Sequence, residues 1–101
     1  MASRSAPSGT PVDREQVERD WKARGFSRGL FTDPPGRCWE DYVHSVDELL
    51  MVLEGEVEIE ISGVARIARP GEEIFIPARA LHSVRNRGRT TSRWLYGYKE
   101  G

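Results

Sequence analysis

Between positions 56 and 61 the chain alternates acid with aliphatic: Glu56, Val57, Glu58, Ile59, Glu60, Ile61. In an extended backbone successive side chains point to opposite faces, so a period of two makes one buried face and one wet face. A helix would spread the same residues around its whole circumference. The segment is therefore a strand in a half-buried sheet. Its acidic row reads as a solvated face that discourages edge pairing, with a binding face as the alternative. Similar short runs lie at 26–32, 37–44, 47–54, 64–70, 72–77, 81–86 and 91–98. Turn residues separate them: Asp33-Pro34-Pro35-Gly36, Gly55, Ser62-Gly63, Pro70-Gly71, Pro77 and Gly88. Eight short strands at close spacing predict an all-β antiparallel sandwich or barrel. The 101 residues make one domain's worth of chain, without a tandem repeat or a Gly-rich nucleotide loop.

Ahead of the strands, residues 11–25 read as a short helix. Thr10 is placed to cap it, Pro11 suits the first helical position, and Asp13 favours the positive helix start. Gly25 stands where a left-handed stop is needed. Glu15/Arg19, Glu18/Lys22 and Asp20/Arg24 each have the favourable i,i+4 order. Val17 and Trp21 give a thin apolar stripe, which predicts a surface helix packed on the domain edge. Residues 1–10 are small and polar and read as a flexible tail. The plan is then a tail over 1–10, a helix over 11–25 and a β domain over 26–101.

Charge narrows the function classes. With 15 basic and 16 acidic side chains the formal net charge is −1, whereas a nucleic-acid binder usually carries a clear basic excess. The longest purely apolar run, Leu49 to Leu53, is five residues, against about 20 for a membrane span. No apolar leader opens the sequence. The single cysteine, Cys38, excludes an internal disulfide framework. A cytoplasmic protein without nucleic-acid or membrane partners is expected.

Two histidines remain to carry chemistry, His44 and His82, both read near strand starts. The first belongs to the pattern Gly36, five residues, Tyr42-Val43-His44, three residues, Glu48, six residues, Gly55. The second belongs to Gly71, five residues, Pro77, then His82 and Asn86. With these spacings the sequence resembles the cupin family, whose two motifs read G-x5-H-x-H-x3-4-E-x6-G and G-x5-P-x-G-x2-H-x3-N. The resemblance runs from Phe26 to about Tyr98. It implies a single antiparallel cupin barrel, a double-stranded β-helix or jelly roll, with the short helix N-terminal to it. Two positions depart from the family pattern. Tyr42 stands where the first metal-binding histidine belongs, and Arg79 stands where the second motif has glycine. Losing that glycine alters a turn, or places a positive charge at the barrel mouth.

The resemblance places His44, Glu48 and His82 together, facing the barrel interior. Two imidazoles and a carboxylate form a facial set for Fe(II), the first choice, and also suit Zn, Mn or Ni. Burying Glu48 without a metal or cationic partner would be costly. The other reading is a metal-free barrel in which these groups hydrogen-bond one another or a ligand. Tyr42 shares strand parity with His44 and is the candidate catalytic residue, as substrate contact or acid/base; phenolate ligation and plain packing are its alternatives. The implied function is a metal-dependent enzyme acting on a small molecule, of dioxygenase, isomerase or lyase type. The alternative is a small-ligand-binding barrel without turnover. Cupin barrels often pair through a sheet face, so a homodimer is expected.

Other residues read more plainly. On an unbroken strand Cys38 and Glu40 share parity with Tyr42, and Cys38 is then an inert buried thiol, with a soft ligand or reactive thiol facing the cavity as the alternative. Asn86 makes a structural hydrogen bond. Trp94, Tyr96 and Tyr98 share one face and form an aromatic wall inside the barrel, or else core or a subunit interface. Arg85, Arg87, Arg89 and Arg93 read as a solvated loop and edge, with a basic anion site as the alternative.

Overall fold

The computed structural model describes residues 12–100. One helix, α1 (Arg14–Ala23), precedes eight strands: β1 (Gly29–Asp33), β2 (Cys38–Tyr42), β3 (Glu48–Glu54), β4 (Val57–Ile61), β5 (Val64–Ala68), β6 (Glu73–Ile76), β7 (His82–Asn86) and β8 (Ser92–Tyr98). They form two four-stranded antiparallel sheets, ordered β1-β8-β3-β6 and β2-β7-β4-β5. Chain neighbours such as β1 and β2 lie in different sheets, so the chain crosses repeatedly between the two layers. The fold is the expected all-β barrel.

Between the sheets lies a core of Leu50, Val52, Val57, Ile59, Ala68, Ile74, Ile76, Val84 and Trp94. Val57 and Ile59 of the alternating segment point into it, while Glu58 and Glu60 face outward and bind the Arg85 guanidinium at 3.0 and 2.8 Å. Glu40 adds two further bonds to Arg85, at 2.8 and 2.9 Å. Arg85 is thus neutralised within the sheet face rather than free in a loop. Its hydrogen bonds, aided by its positive charge, hold the Glu40 and Glu58 carboxyls below their ordinary pKa.

The run Leu49–Leu53 has a different cause. Leu50 and Val52 face the other sheet, whereas Leu49 and Met51 face outward against Trp21, Phe26 and Leu95. β3 is therefore apolar on both faces because the helix covers the outer one. The helix does more than sit at the domain edge. Trp21 is fully buried, its indole N–H donates to Glu73 Oε1 at 3.1 Å, and Arg24 clamps the same carboxylate with two bonds of 2.9 Å.

Asp13 is the observed helix cap, accepting from the Gln16 N–H at 3.1 Å. The expectations for Thr10, Pro11 and the tail fall outside the described residues. Gly25 ends the helix at φ +86°, with Gly25 N–H bonded to Lys22 O and Phe26 N–H to Trp21 O. That paired stop folds Phe26 back onto Trp21.

Candidate metal centre

β2 carries one extra residue. Trp39 pairs with Val84 and Tyr42 with His82, so two residues of β2 oppose the single Ser83. Asp41 takes the left-handed conformation, φ +59°, and its N–H bonds to Ser83 Oγ at 2.9 Å. Such a bulge shifts side-chain parity by one. Trp39 and Tyr42 consequently face the interior together, while Glu40 faces outward to Arg85. Cys38 is exposed, with its thiol 3.4 Å from Gly36 O. The expected shared parity of Cys38, Glu40 and Tyr42 is therefore wrong, because the strand is not unbroken.

His44 lies two residues past the end of β2, in the connection to β3, rather than near a strand start. Its carbonyl accepts the Arg79 N–H at 2.7 Å, and Asp47 Oδ1 accepts the Ala78 N–H at 2.8 Å. The turn before β7 thus pins the loop that carries His44. Arg79 keeps a glycine-like φ of +68° in that turn, with an exposed side chain. Glu48 opens β3 and His82 opens β7, so all three side chains meet at one end of the barrel.

There the candidate ligand atoms of His44, Glu48 and His82 lie within 4.8 Å of one another. Glu48 and His82 are buried, and His44 is about 30% exposed. Glu48 Oε1 stands 3.4 Å from His82 Nε2 and 3.6 Å from His44 Nε2. Good N–H···O bonds are shorter, about 2.7–3.2 Å, and this oxygen is buried without a hydrogen-bond partner. Two donors held about 2.0–2.2 Å from one ion stand roughly 3–3.5 Å apart, depending on the bond angle. The residues present therefore fit a divalent cation. His82 Nδ1 lies 3.0 Å from Ala80 O, so an N–H there leaves the Nε2 lone pair facing the site. Glu48 raises the His82 pKa, against the opposing effect of burial.

The triad opens into a cavity of about 110 Å³, whose other walls are Phe31, Trp39, Tyr42, Val84, Trp94 and Tyr98. Two indoles of that wall are fixed by one buried carboxylate: Asp33 Oδ2 accepts Trp39 Nε1–H at 2.9 Å and Trp94 Nε1–H at 3.0 Å. Phe31 packs between them, 5.2 and 4.8 Å from the two rings. Tyr42 is 41% exposed at the mouth, its ring 6.2 Å from that of His44 and 6.5 Å from that of His82. Tyr98 Oη lies 3.5 Å from His44 Nε2, and burial, with the Glu48 charge behind it, pushes its pKa up to about 12.

The sequence profile of the family described as Cupin domain matches residues 29–98. The chain belongs to the cupin family. TT1209 from Thermus thermophilus is a similar structure, 27% identical with a TM-score of 0.68, over 75% of this chain and 74% of that one. Oxalate oxidase in complex with the substrate analogue glycolate is 26% identical with a TM-score of 0.70, over 76% of this chain and 43% of that one. The chain thus spans less than half the length of that oxidase. DMSP lyase DddQ from Ruegeria pomeroyi DSS-3, 22% identical with a TM-score of 0.67 over 74% of this chain and 38% of that one, shares the fold. No curated protein matches the chain.

Against the cupin pattern, the structure brings Tyr42, His44, Glu48 and His82 to one cavity. Asn86, expected as structural, donates to Asp33 O, Pro34 O and Thr90 O at 2.9–3.1 Å. Trp94 and Tyr98 of the aromatic wall reach the cavity, while Tyr96 stacks 4.7 Å from Phe31. Trp39, Asp33 and the placement of Tyr98 beside His44 are what sequence reading missed. Trp39 is hidden by the bulge. Asp33 looks like the first residue of a turn. Among the described residues no helix is long and apolar enough to cross a membrane.

Proposed function

We propose that this cupin is a metal-dependent enzyme acting on a small molecule, with a divalent transition metal held by His44, Glu48 and His82. The observation that carries the reading is Glu48 Oε1, buried without a hydrogen bond and facing two imidazole nitrogens at 3.4 and 3.6 Å. Leaving a carboxylate so placed is costly unless a cation meets it. Two histidines and one carboxylate favour Fe(II), with Zn, Mn or Ni as the other candidates. A bound ion supplies Lewis acidity at coordination positions the protein leaves open. The chain's own groups do the rest. Glu48 balances the charge, and the Ala80 carbonyl orients His82. The indoles held by Asp33 exclude water and pack against the apolar part of a ligand. Tyr42, at the mouth, offers a phenol O–H to a substrate oxygen. The small cavity and the likeness to an oxidase solved with glycolate support a substrate of few atoms.

A second reading, a ligand-binding cupin without turnover, is favoured by one feature: apart from the triad, the wall offers only phenols as acids or bases. The test is metal analysis of protein purified without chelator, followed by turnover of small organic acids and their esters with Fe(II) or with chelator. Bound metal that disappears in His82→Ala, with turnover that needs it, is the expected result. Metal without turnover favours the binding barrel. No metal uptake overturns the centre.

A further inference from the structure

Resting on the proposed centre, we infer that Tyr98 is its fourth protein donor and occupies a coordination position through its phenol oxygen. Sequence comparison points to Tyr42 for that place, since Tyr42 replaces the missing histidine. The geometry points elsewhere. In the sheet register Tyr98 lies directly opposite Glu48, and Tyr42 directly opposite His82. Each phenol therefore begins beside one member of the triad, one in each sheet.

What separates them is where the ring goes. The Tyr98 ring meets that of His44 edge to face, 4.9 Å between centroids, and its oxygen comes to 3.5 Å from His44 Nε2. That contact is long for a hydrogen bond, as are the two contacts of Glu48 Oε1 with the imidazoles. All three fall at 3.4–3.6 Å, a spacing that two donors sharing one ion also have, and His44 is the triad member that Tyr98 Oη meets. Tyr98 is partly buried within the barrel, whereas Tyr42 is 41% exposed and its ring stands more than 6 Å from both imidazole rings. Tyr98 therefore completes a set of two nitrogens and two oxygens, leaving Tyr42 free to meet a ligand at the mouth. On binding, an oxygen–metal bond forms, the phenol O–H breaks, and the proton goes to solvent.

Iron reports this ligand directly, because a phenolate bound to Fe(III) gives a charge-transfer band in the visible that histidine and carboxylate ligands do not. The full chain and its Tyr98→Phe, Tyr42→Phe and His82→Ala variants are loaded with Fe(II), analysed for iron, and oxidised with ferricyanide followed by desalting. Melting curves establish that each variant is folded. The unsubstituted chain and Tyr42→Phe are expected to show the band. Tyr98→Phe is expected to keep its iron and lose the band. Iron-loaded chain without a band, or a band that persists in Tyr98→Phe, overturns the assignment of Tyr98 while leaving the triad standing. A chain that takes up no iron, or iron that is indifferent to His82→Ala, overturns the triad and this inference with it.

Discussion

Arg79 is a side chain in a conformation that suits none. At φ +68° its Cβ crowds the backbone, a cost of about 1–2 kcal/mol that glycine escapes. The turn keeps this shape because its N–H must reach His44 O. Arg79→Gly removes the strain and, since the side chain is exposed, sacrifices little contact. Greater freedom in the unfolded chain offsets part of the gain. The expected outcome is a thermal midpoint higher by several degrees, given that about 1 kcal/mol shifts a domain of this size by roughly 4–8 °C. A lower midpoint would mean that the guanidinium makes a contact worth more than the strain. At this scale legibility was uneven. His44, Glu48, His82 and Tyr42 were readable because two motifs fix their spacing. The inward turn of Trp39 was not, because it depends on Asp41 adopting φ +59°, and a lone aspartate is too weak a sign of a bulge. Tyr98 needed the register of β8 on β3, which no local pattern encodes.

Elements were legible wherever burial is one-sided. Strand alternation located β4, and the Pro/Gly/Asp/Ser turn chemistry separated its neighbours. The helix was foreseen as an element but underestimated as a cover, although the doubly apolar run of β3 carried that information. Its importance is testable. Trp21 is fully buried against Leu49, Met51 and Leu95, so Trp21→Ala is expected to cost about 3–5 kcal/mol in urea unfolding. A loss under about 1 kcal/mol would return the helix to the domain edge. On the opposite sheet, Arg85 lowers the pKa of Glu40 and Glu58. Carboxyls depressed on folding stabilise above their ordinary value of 4.5, and that contribution fades as pH falls through the folded values. Arg85→Met is therefore expected to flatten the fall in melting temperature between pH 6 and about pH 3.5. Added salt should shrink the difference, since these pairs face solvent. Parallel curves for the two proteins at low salt would show that the carboxylate ladder contributes nothing measurable.

For the whole molecule, the triad makes the sign of the pH dependence a report on metal. In the metal-free chain the Glu48 carboxylate raises the pKa of His82 above its ordinary 6.5. Folding then favours the protonated imidazole. Its stabilising contribution is complete below 6.5 and is lost as pH rises through the higher folded value. With metal bound the order reverses. The imidazole nitrogens that hold the ion cannot also hold a proton, so ligation depresses their folded pKa. Metal-linked stability is then present above the unfolded histidine value and is lost as acid displaces the ion. Chelated protein should therefore melt progressively lower as pH is raised from 5.5 to 8, once the baseline of a His82→Ala variant is subtracted. Metal-loaded protein should melt progressively higher over the same interval. The measurement is a set of melting curves across that range for both proteins, with Fe(II) under anaerobic conditions or with Zn, and with chelator. Curves for loaded and chelated protein that run parallel would mean that protons and metal do not compete at His82. The buried Glu48 oxygen would then have the His82 imidazole, rather than a metal ion, as its partner.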